Sequence, residues 1–502
     1  MSGCKQEIFS GKVVSDLMKT YFIGIDIGTQ GARVAILDAE GNQYGAKEEI
    51  FPLHDRAREE QSPVEWWDTC YGLLQSICND LKTGIDLSKV HAISVTSTSG
   101  TIIPLDKNHE PLYQAIMYSD PRSADEAKLC KLAALESDYT GYHAFNSSSG
   151  LSKMIWFLNN YTAKIDEINL FIHAADYITG KLSGNYGVTD YTNALKSGYD
   201  VRNYEWPDYI FSKLPLQKKW MQDPKPSGLP LGTLKKGLAS TLGLSAKTII
   251  TTGMTDGCAS QVASGAVNRG DWNTTIGTTL VVKGVTKHEI IDPSGALYCH
   301  RHPDGYWMPG GASNTGADWV SKLYGTRDLA ELNISASSLI PTGQLAWPLL
   351  QEGERFPFVA PDARGFKPDG IDDDKLFAAY MEGVAYIERY AYEQIKRLSG
   401  ETAKQVFTAG GASNSDTWLK IRSAVLGLPI KKMKNVSGAT GAAIVAASRT
   451  YFRSLAEAAN SMTKEEKTIE PLIGLVPAYE NSYYRFINLL KEKGYITRYE
   501  LA

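Results

Sequence analysis

The stretch YFIGIDIGTQGARVAI, residues 21–36, predicts the fold. Its first half is an apolar run, Tyr21–Ile27, dense enough for a strand that is buried on both faces. Asp26 interrupts this run with a charge whose burial is costly unless it finds a partner. Small and polar residues then occupy a turn: Gly28, Thr29 and Gln30. Because the chain returns as a second alternating run that ends at Asp38, the stretch predicts a β-hairpin with a carboxylate at its bend.

This hairpin admits two interpretations from its own residues. It is either an ordinary hairpin or a phosphate site, because turn N–H groups and the Thr29 hydroxyl can hold phosphate oxygens. In the second case Asp26 faces the metal ion that phosphates carry.

A second copy of the pattern favours the phosphate site. The segment NTTIGTTLVVKGV begins at Asn273, about half the chain further on, and contains Gly277, Thr278 and Thr279 between two strand-like runs. The separation is far longer than the roughly 20–50 residues of solenoid repeats. The repeat therefore predicts two related domains, each with a Gly-Thr turn for one part of a polyphosphate.

Two glycine-rich segments of the second half precede predicted helices. Gly310–Gly316 reads as a helix start at which Gly311 lets backbone N–H groups approach an anion. A strand over Gln405–Thr408 leads to Gly410, Gly411 and Asn414, before the predicted helix Asp416–Leu426. Bare backbone of this kind offers a surface to a flat base and its ribose.

Hydroxyl groups follow a predicted buried strand at Val90–Val95. The segment TSTSGT, residues 96–101, includes Ser99, Gly100 and Thr101. Each hydroxyl can donate and accept a hydrogen bond, which suits a polyol, but an ordinary Ser/Thr turn has the same composition. Further along, residues 118–122 resemble a Trp-x-Asp-x-Arg sugar-binding segment, in which Tyr118 takes the place of the Trp as an aromatic wall. Asp120 and Arg122 form either a structural ion pair or a pair of sugar contacts.

Asp256 lies at a predicted strand-to-helix junction in TTGMTDGCA, residues 251–259. An aspartate there is often only a helix N-cap. Against this, Asp256 lies between the two Gly-Thr turns in sequence and near the positive end of the helix, which stabilises a carboxylate. The residues alone leave open whether Asp256 is a helix N-cap or a catalytic base.

With these motifs in view, the chain from Tyr21 onward resembles the FGGY carbohydrate kinases, a branch of the group that also contains hexokinase, actin and related chaperone ATPases. The resemblance implies an α/β fold: two ribonuclease H-like (actin/hexokinase-type) domains, with mixed sheets flanked by helices and a cleft between them. It also implies ATP and Mg²⁺. We expect an extension over residues 1–20, an N-terminal domain over 21–265 for sugar, phosphate and metal, and a nucleotide-side C-terminal domain over 266–502.

The resemblance also implies roles for individual residues. Asp256 matches the family's catalytic base, Asp26 its metal-side carboxylate, and Tyr118 an aromatic sugar contact. The expected sugar contacts are Ser99, Gly100, Thr101, Tyr118 and Asp256. The expected nucleotide contacts are Gly28, Thr29, Gln30, Gly277, Thr278, Thr279, Gly311, Gly410, Gly411 and Asn414.

The loop at residues 97–100 bears on the substrate. Within the family, the segments STSGTIIPLD (residues 97–106) and GTTLVVK (residues 277–283) look closest to the D-ribulose kinase-like pentulokinases. Xylulose kinase-like members carry Gln-Met-His-Gly where this chain has Ser97–Gly100, which counts against D-xylulose. We therefore expect phosphorylation of a primary hydroxyl of D-ribulose. D-xylulose, L-ribulose, a polyol and a gluconate-like sugar acid remain alternatives, as do a sugar-independent ATPase and a non-catalytic sugar sensor.

Composition narrows the class of protein. A chain of 502 residues exceeds the size of one core, and 43% hydrophobic with 22% charged residues is typical of a globular protein. A net charge of −4 and the lack of a basic tract or a long apolar run predict neither nucleic-acid binding nor a membrane span. With six cysteines, no C-x-x-C pair and no signal-peptide pattern, we expect a cytoplasmic kinase. A homodimer is possible.

Overall fold

The computed structural model describes residues 19–52, 54–141 and 144–496. The predicted extension over 1–20 therefore lies almost wholly outside the described residues. The chain divides into two compact units. Unit 1 contains the described residues up to Ala263 together with Asn435–Thr463, and unit 2 contains Ser264–Lys434 with the described residues from Lys464 onward.

Twenty strands occur in the described residues. In chain order they are β1 Tyr21–Ile27, β2 Gly31–Asp38, β3 Gln43–Ile50, β4 Glu60–Gln61, β5 Val90–Ser97, β6 Ile102–Leu105, β7 Ala115–Ile116, β8 Leu170–His173, β9 Val188–Asp190, β10 Asp223–Lys225, β11 Pro230–Thr233, β12 Ile249–Thr251, β13 Met254–Thr255, β14 Trp272–Ile276, β15 Leu280–Gly284, β16 Tyr298–Arg301, β17 Trp307–Ser313, β18 Val406–Ala409, β19 Ile430–Met433 and β20 Glu465–Ile469.

Fifteen α-helices accompany them over the same described ranges. They are α1 Pro63–Leu81, α2 Ala124–Leu135, α3 Gly150–Asn160, α4 Ala174–Ser183, α5 Tyr191–Ala194, α6 Tyr209–Ser212, α7 Lys236–Leu242, α8 Asp256–Ala263, α9 Asp318–Tyr324, α10 Leu329–Leu339, α11 Asp373–Ser399, α12 Asp416–Leu426, α13 Gly438–Ser448, α14 Leu455–Met462 and α15 Val476–Glu492.

The main sheet of unit 1 is built around the opening stretch of the sequence. Its strand order is β11-β12-β5-β1-β2-β3, with β13 added beside β5. Strand β1 pairs antiparallel with β2 and parallel with β5, and every residue of β1 is buried. Burial on both faces explains why its apolar residues are nearly continuous. The predicted hairpin is confirmed.

Unit 2 repeats this arrangement around the second Gly-Thr segment. Its sheet has the order β16-β17-β15-β14-β18-β19-β20. Strand β14 pairs antiparallel with β15 and parallel with β18, as β1 does with β2 and β5. The two Gly-Thr turns thus join equivalent strands, and the prediction of two related domains with mixed sheets flanked by helices is confirmed.

The units are not the two consecutive halves expected from the sequence. Helices α13 and α14 fall in the predicted second domain, residues 266–502, yet they belong to unit 1. The reason is packing: every residue of α13 is buried, and Gly24 of β1 lies so close that a Cβ there would be 1.8 Å from the carbonyl oxygen of Ala439. Only small residues allow this backbone approach.

None of the helices in the described ranges combines the length and apolarity needed to cross a membrane.

Candidate active site

Asp26 lies one residue before the end of β1, where its neighbours come from three elements. In the sheet it is opposite Arg33 of β2 and Thr96 of β5. Its Oδ2 atom is 3.6 Å from Nη1 of Arg33, whereas its buried Oδ1 atom has no hydrogen-bond partner among the described residues. Gly438, the first residue of α13, packs against the carboxylate, because a Cβ there would be 2.5 Å from Oδ2.

The environment of Asp26 disfavours its charged form. Its pKa rises from 3.8 to about 7, first because it is buried and then because the Asp256 carboxylate is close; the Arg33 cation opposes both effects. Two aspartates separated by nearly half the chain length therefore lie near each other in unit 1. Concentrated negative charge with an unpartnered carboxylate oxygen is an environment that a divalent cation stabilises.

Asp256 is the first residue of α8 and directly follows the two-residue strand β13. This strand extends the sheet beside the end of β5, with Thr255 opposite Ser97. One carboxylate oxygen, Oδ1, accepts a hydrogen bond from the backbone N–H of Gly257 at 2.6 Å. The predicted strand-to-helix junction is confirmed, and the partly exposed carboxylate lies at the positive end of the helix.

Most hydroxyls of the loop after β5 are used within the protein. Ser97 Oγ accepts the backbone N–H of Ala175 at 2.9 Å, and the Oγ1 atoms of Thr98 and Thr101 are 3.0 Å apart. Ser99 differs, because its buried Oγ has no hydrogen-bond partner in the part of the chain that the structure describes. Gly100 takes a φ of +92°, which turns the chain at this point. Of this loop, Ser99 is therefore the best-placed hydroxyl for a polar ligand.

Tyr118 links this loop to the first Gly-Thr turn. Its backbone N–H donates to Thr101 Oγ1 at 3.2 Å, and its hydroxyl is 3.3 Å from Thr29 Oγ1. Beside them is a cavity of about 610 Å³. Its lining residues are Gly28, Thr29, Gln30, Gly31, Arg33, Ala57, Arg58, Tyr118 and Ser119. The structure thus brings the sugar-contact candidates of the first half next to the phosphate-turn candidates.

The Asp120–Arg122 pair is part of a structural ion-pair cluster. The Arg122 guanidinium pairs with Asp120 and Glu60 and lies 4.8 Å from the centre of the Trp156 ring. Lys153, fully buried, donates to the backbone carbonyl of Asp120 at 3.0 Å. The predicted ion pair is confirmed, and sugar contact by either side chain stays a prediction.

Sequence reasoning missed Arg33. This arginine forms an ion pair with Asp26. Arg33 and Arg58 both line the cavity beside the first Gly-Thr turn. A signal was present, because a hairpin that bends at residues 28–31 places residue 33 opposite residue 26. Two cations beside a Gly-Thr turn suit an anionic ligand.

In unit 2 the second turn is held from behind by the chain between β17 and α9. The backbone N–H of Ala317 donates to the carbonyl of Gly277 at 2.7 Å, and that of Leu280 donates to the carbonyl of Thr315 at 2.9 Å. Gly316 packs so closely that a Cβ would be 2.3 Å from the carbonyl oxygen of Thr278. The Gly277–Thr279 turn is therefore supported by backbone contacts.

The Gly-Gly segment after β18 lies beside this turn. Gly410 has a φ of +84°, and a Cβ there would be 2.4 Å from the carbonyl oxygen of Ile276. Gly411 and Asn414 are exposed and border a cavity of about 1170 Å³ within unit 2. Ala317, Asn333 and Phe377 are among the other lining residues, so the walls are part apolar and part polar.

Gly311 does not lie where the sequence predicted. It is in the middle of β17, opposite Val282 of β15, and no helix begins there; α9 starts at Asp318. A Cβ at Gly311 would be 2.4 Å from the ring of Phe356, so this glycine accommodates an aromatic side chain. The predicted helix start at Gly311 is therefore wrong, because a glycine that faces an aromatic ring has the same local composition as one that faces an anion.

Three other glycines are not required by the packing of the protein. None of Gly28, Gly277 and Gly411 has a φ in the left-handed region. A Cβ would meet nothing within 4 Å at Gly277 or Gly411, and at Gly28 only an ordinary contact at 3.5 Å. Open space beside these backbones is compatible with close approach of a ligand.

Comparisons with known proteins agree with this arrangement. The sequence patterns of the FGGY family of carbohydrate kinases match this chain in two segments: the N-terminal domain over residues 21–263 and the C-terminal domain over residues 272–449. A xylulose kinase from Staphylococcus epidermidis is 24% identical over 96% of this chain and 98% of its own length. A gluconokinase from Bacillus subtilis is 24% identical over 81% of this chain and 83% of its own length.

A solved structure, that of a ligand-bound xylulose kinase from Lactobacillus acidophilus, has the same fold. It superimposes with a TM-score of 0.81 at 21% identity, covering 95% of this chain and 98% of that one. The chain belongs to the FGGY family of carbohydrate kinases. It is a phosphotransferase with an alcohol group as acceptor, and kinases of this family use ATP.

Proposed function

We propose that this kinase transfers the γ-phosphoryl group of ATP to a primary hydroxyl of a ketopentose, with D-ribulose as the favoured substrate. The observation that carries the proposal is the meeting of Asp26 and Asp256 in unit 1, at the ends of strands that flank the hydroxyl-rich loop. Phosphoryl transfer needs positioning and charge neutralisation more than covalent chemistry, and these groups can supply both.

In this mechanism Asp256 is the general base. Its carboxylate accepts the proton of the sugar hydroxyl as that oxygen bonds to the γ-phosphorus, while the bond from phosphorus to the β–γ bridging oxygen breaks and ADP leaves. Ser99, Gly100, Thr101 and Tyr118 orient the sugar. The buried Oγ of Ser99, which has no partner within residues 19–52, 54–141 and 144–496, is well suited to bind a sugar hydroxyl.

Asp26 is proposed to hold Mg²⁺, through water molecules. The residues fit this ion: both nearby acids offer hard oxygen ligands, and Oδ1 of Asp26 is buried without a partner. In the described ranges no group of three or more His, Cys, Asp and Glu side chains could hold a metal ion, and Mg²⁺ takes only one or two carboxylates from the protein. When bound, the ion neutralises charge on the phosphates.

The nucleotide contacts divide between the two units. In unit 1 we assign phosphate oxygens to Gly28, Thr29 and Gln30. In unit 2 we assign phosphate oxygens to Gly277, Thr278 and Thr279, and the adenosine to the cavity bordered by Gly411 and Asn414. Support comes from the open space beside Gly28, Gly277 and Gly411, which the packing of the protein does not explain.

The proposed identity of the sugar rests on fewer residues than the proposed reaction does. Ser97–Gly100 stands where xylulose kinase-like members carry a different tetrapeptide, which favours D-ribulose. Relatives named xylulose kinase and gluconokinase make D-xylulose and a gluconate-like acid the next candidates, before L-ribulose and polyols. A homodimer and a cytoplasmic location stay predictions.

One ADP-release assay tests the reaction and the substrate together. We expect D-ribulose to give the highest kcat/KM in a panel of D-ribulose, D-xylulose, L-ribulose, glycerol and gluconate. If another member of the panel gave a higher kcat/KM, that compound would replace D-ribulose as the proposed substrate, and the proposed phosphoryl transfer would stand. ADP release at the same rate without any sugar would contradict sugar phosphorylation itself.

The base is tested in the same assay with Asp256→Asn. The amide keeps the shape but cannot accept the proton, so we expect kcat to fall about 10²–10⁴-fold while ADP still binds. Asp372→Asn is the matched control, since Asp372 is an exposed aspartate whose side chain caps α11. If both variants kept the wild-type kcat, Asp256 would be only a helix-start residue.

A further inference from the structure

The position of Asp256 depends on a very short strand. Strand β13 contains only Met254 and Thr255, and Asp256 follows it directly. On one side β13 pairs with β5, where Thr96 Oγ1 also donates to the carbonyl of Met254 at 2.7 Å. A two-residue strand makes few ladder bonds, so contacts on its other side matter for where the carboxylate lies.

On that other side, a buried threonine holds the residue just before Asp256. The backbone N–H of Thr255 donates to Oγ1 of Thr192 at 2.9 Å. Thr192 is on the short helix α5, 63 residues away in sequence, and both residues are buried. This bond connects α5 to the backbone that leads into Asp256.

Asp190 fixes the orientation of the Thr192 hydroxyl. Thr192 Oγ1 donates to Oδ1 of Asp190 at 2.6 Å, so its proton points to the carboxylate and its lone pairs remain for the N–H of Thr255. Asn193 Nδ2 donates to Oδ2 of Asp190 at 2.6 Å and holds the carboxylate in place. Asp190, Thr192 and Asn193 are all fully buried.

We propose that Asp190 and Thr192 are positioning residues for the catalytic base: through the N–H of Thr255 they set the place of the Asp256 carboxylate. The inference rests on the proposed function, because it takes Asp256 as the base. Neither residue is assigned to the sugar or to ATP. Their effect is therefore expected in kcat, since a displacement of the base by about 1 Å can cost about 10²-fold in rate.

A purely structural role for the pair is the competing explanation. Asp190 is also the N-cap of α5, and it accepts the backbone N–H groups of Thr192 and Asn193 at 2.8 and 3.2 Å. This cap does not need the hydroxyl of Thr192. Thr192→Val therefore removes the hydrogen bond to the N–H of Thr255 but leaves the N-cap of α5 intact. Thr192→Ser keeps the hydrogen bond and the N-cap.

Steady-state kinetics of the full chain with ATP and the best sugar of the panel test the proposal. For Thr192→Val we expect kcat to fall 10- to 100-fold, with KM for the sugar within about twofold of wild type. Thr192→Ser should recover most of kcat. Should the valine variant fail to fold, Thr192→Ala removes the same hydroxyl without adding a methyl group, and the same loss of kcat is expected.

Thr248→Val is the matched control. Thr248 is equally buried in the same unit, and its Oγ1 donates to the carbonyl of Val90 at 2.8 Å, away from β13. We expect a similar loss of thermal stability in the two valine variants but a loss of kcat only for Thr192→Val. The proposal would be overturned if Thr192→Val and Thr248→Val had the same kcat. It would also be overturned if the kcat of Thr192→Ser were no higher than that of Thr192→Val.

Asp256→Asn in the same experiment separates this inference from the function on which it rests. If Asp256→Asn is inactive while Thr192→Val retains the kcat of the control, only the positioning role fails. If Asp256→Asn keeps its kcat, the base assignment and the inference fail together.

Discussion

At the scale of single residues, Asp26 shows how one position combines a fold requirement with a chemical one. It continues a buried strand, yet it places a carboxylate beside Asp256 with one oxygen unpartnered. Such a group weakens the metal-free protein whenever it is ionised, because burial and a like charge both oppose the charge. A cation bound there, as proposed above, would compensate for this cost.

This cost predicts a pH dependence. In the folded protein the pKa of Asp26 is about 7, above its ordinary 3.8, so the folded state holds a proton that the unfolded chain has released between these values. Stability due to Asp26 is therefore greatest below pH 4 and falls as the pH rises to about 7, by roughly 4 kcal/mol at most. Asp26→Asn should not show this loss.

Thermal unfolding in buffers without divalent cations measures the effect. We expect the midpoint of Asp26→Asn to rise relative to wild type between pH 5 and pH 8. If the midpoints of wild type and Asp26→Asn changed equally between pH 5 and pH 8, the pKa of Asp26 would not be raised in the folded protein.

At the scale of elements, the turn after β14 depends on a buried glutamate in a distant loop. Glu354 Oε2 accepts the hydroxyls of Ser313 and Thr315 at 2.7 and 2.8 Å, and Oε1 accepts the backbone N–H of Asn314 at 2.7 Å. These residues end β17 and lead to Gly316, which packs against the turn. Glu354 thus orders the chain that supports Gly277–Thr279.

We predict that Glu354→Gln raises KM for ATP about tenfold and leaves KM for the sugar unchanged. The Ser313 and Thr315 hydroxyls already accept N–H groups, from Thr315 and from the Trp347 indole, so each must donate its own proton. A glutamine amide has one accepting oxygen instead of two, so either these protons or the backbone N–H of Asn314 lose their acceptor, and the supporting loop should shift.

Glu382→Gln controls for the loss of a buried carboxylate in the same unit. Glu382 accepts from the backbone and hydroxyl of Thr342 and from the Tyr479 hydroxyl, and none of these residues lines the turn. Initial rates at varied ATP compare the two variants. Equal KM values for ATP would show that Glu354 supports stability alone.

At the scale of the whole molecule, unit 1 is assembled from two separate parts of the chain. Helix α13 packs against β1, β5 and α8, and Gly441 comes so near α8 that a Cβ would be 2.0 Å from the carbonyl oxygen of Ala259. A segment near the end of the chain thus completes the core around Asp26. The family's C-terminal pattern, residues 272–449, includes this helix although it packs in unit 1.

A fragment that ends at Ala263 should therefore not fold cooperatively. It would expose the apolar face of β1 and β5 that α13 covers, whereas residues 19–263 joined by a flexible linker to residues 435–463 should recover a cooperative unit. Circular dichroism during heating distinguishes them. A sharp unfolding transition of the shorter fragment would contradict the assignment of α13 to the core of unit 1.

What the sequence by itself determined are the features that depend on local pattern. The apolar run at Tyr21–Ile27, the repeated Gly-Thr turn and the strand-to-helix junction at Asp256 could be read because strand burial, turns and helix starts depend on neighbouring residues. The motifs were also specific enough to indicate the family.

Only the tertiary structure decided which of these residues meet. The approach of Asp26 to Asp256, the return of α13 to unit 1 and the bond from Thr192 to Thr255 join positions far apart in sequence. Gly311 illustrates the limit, because a glycine beside an aromatic ring and a glycine beside a ligand have the same local sequence signal. Long-range packing, which no local pattern encodes, determines the difference.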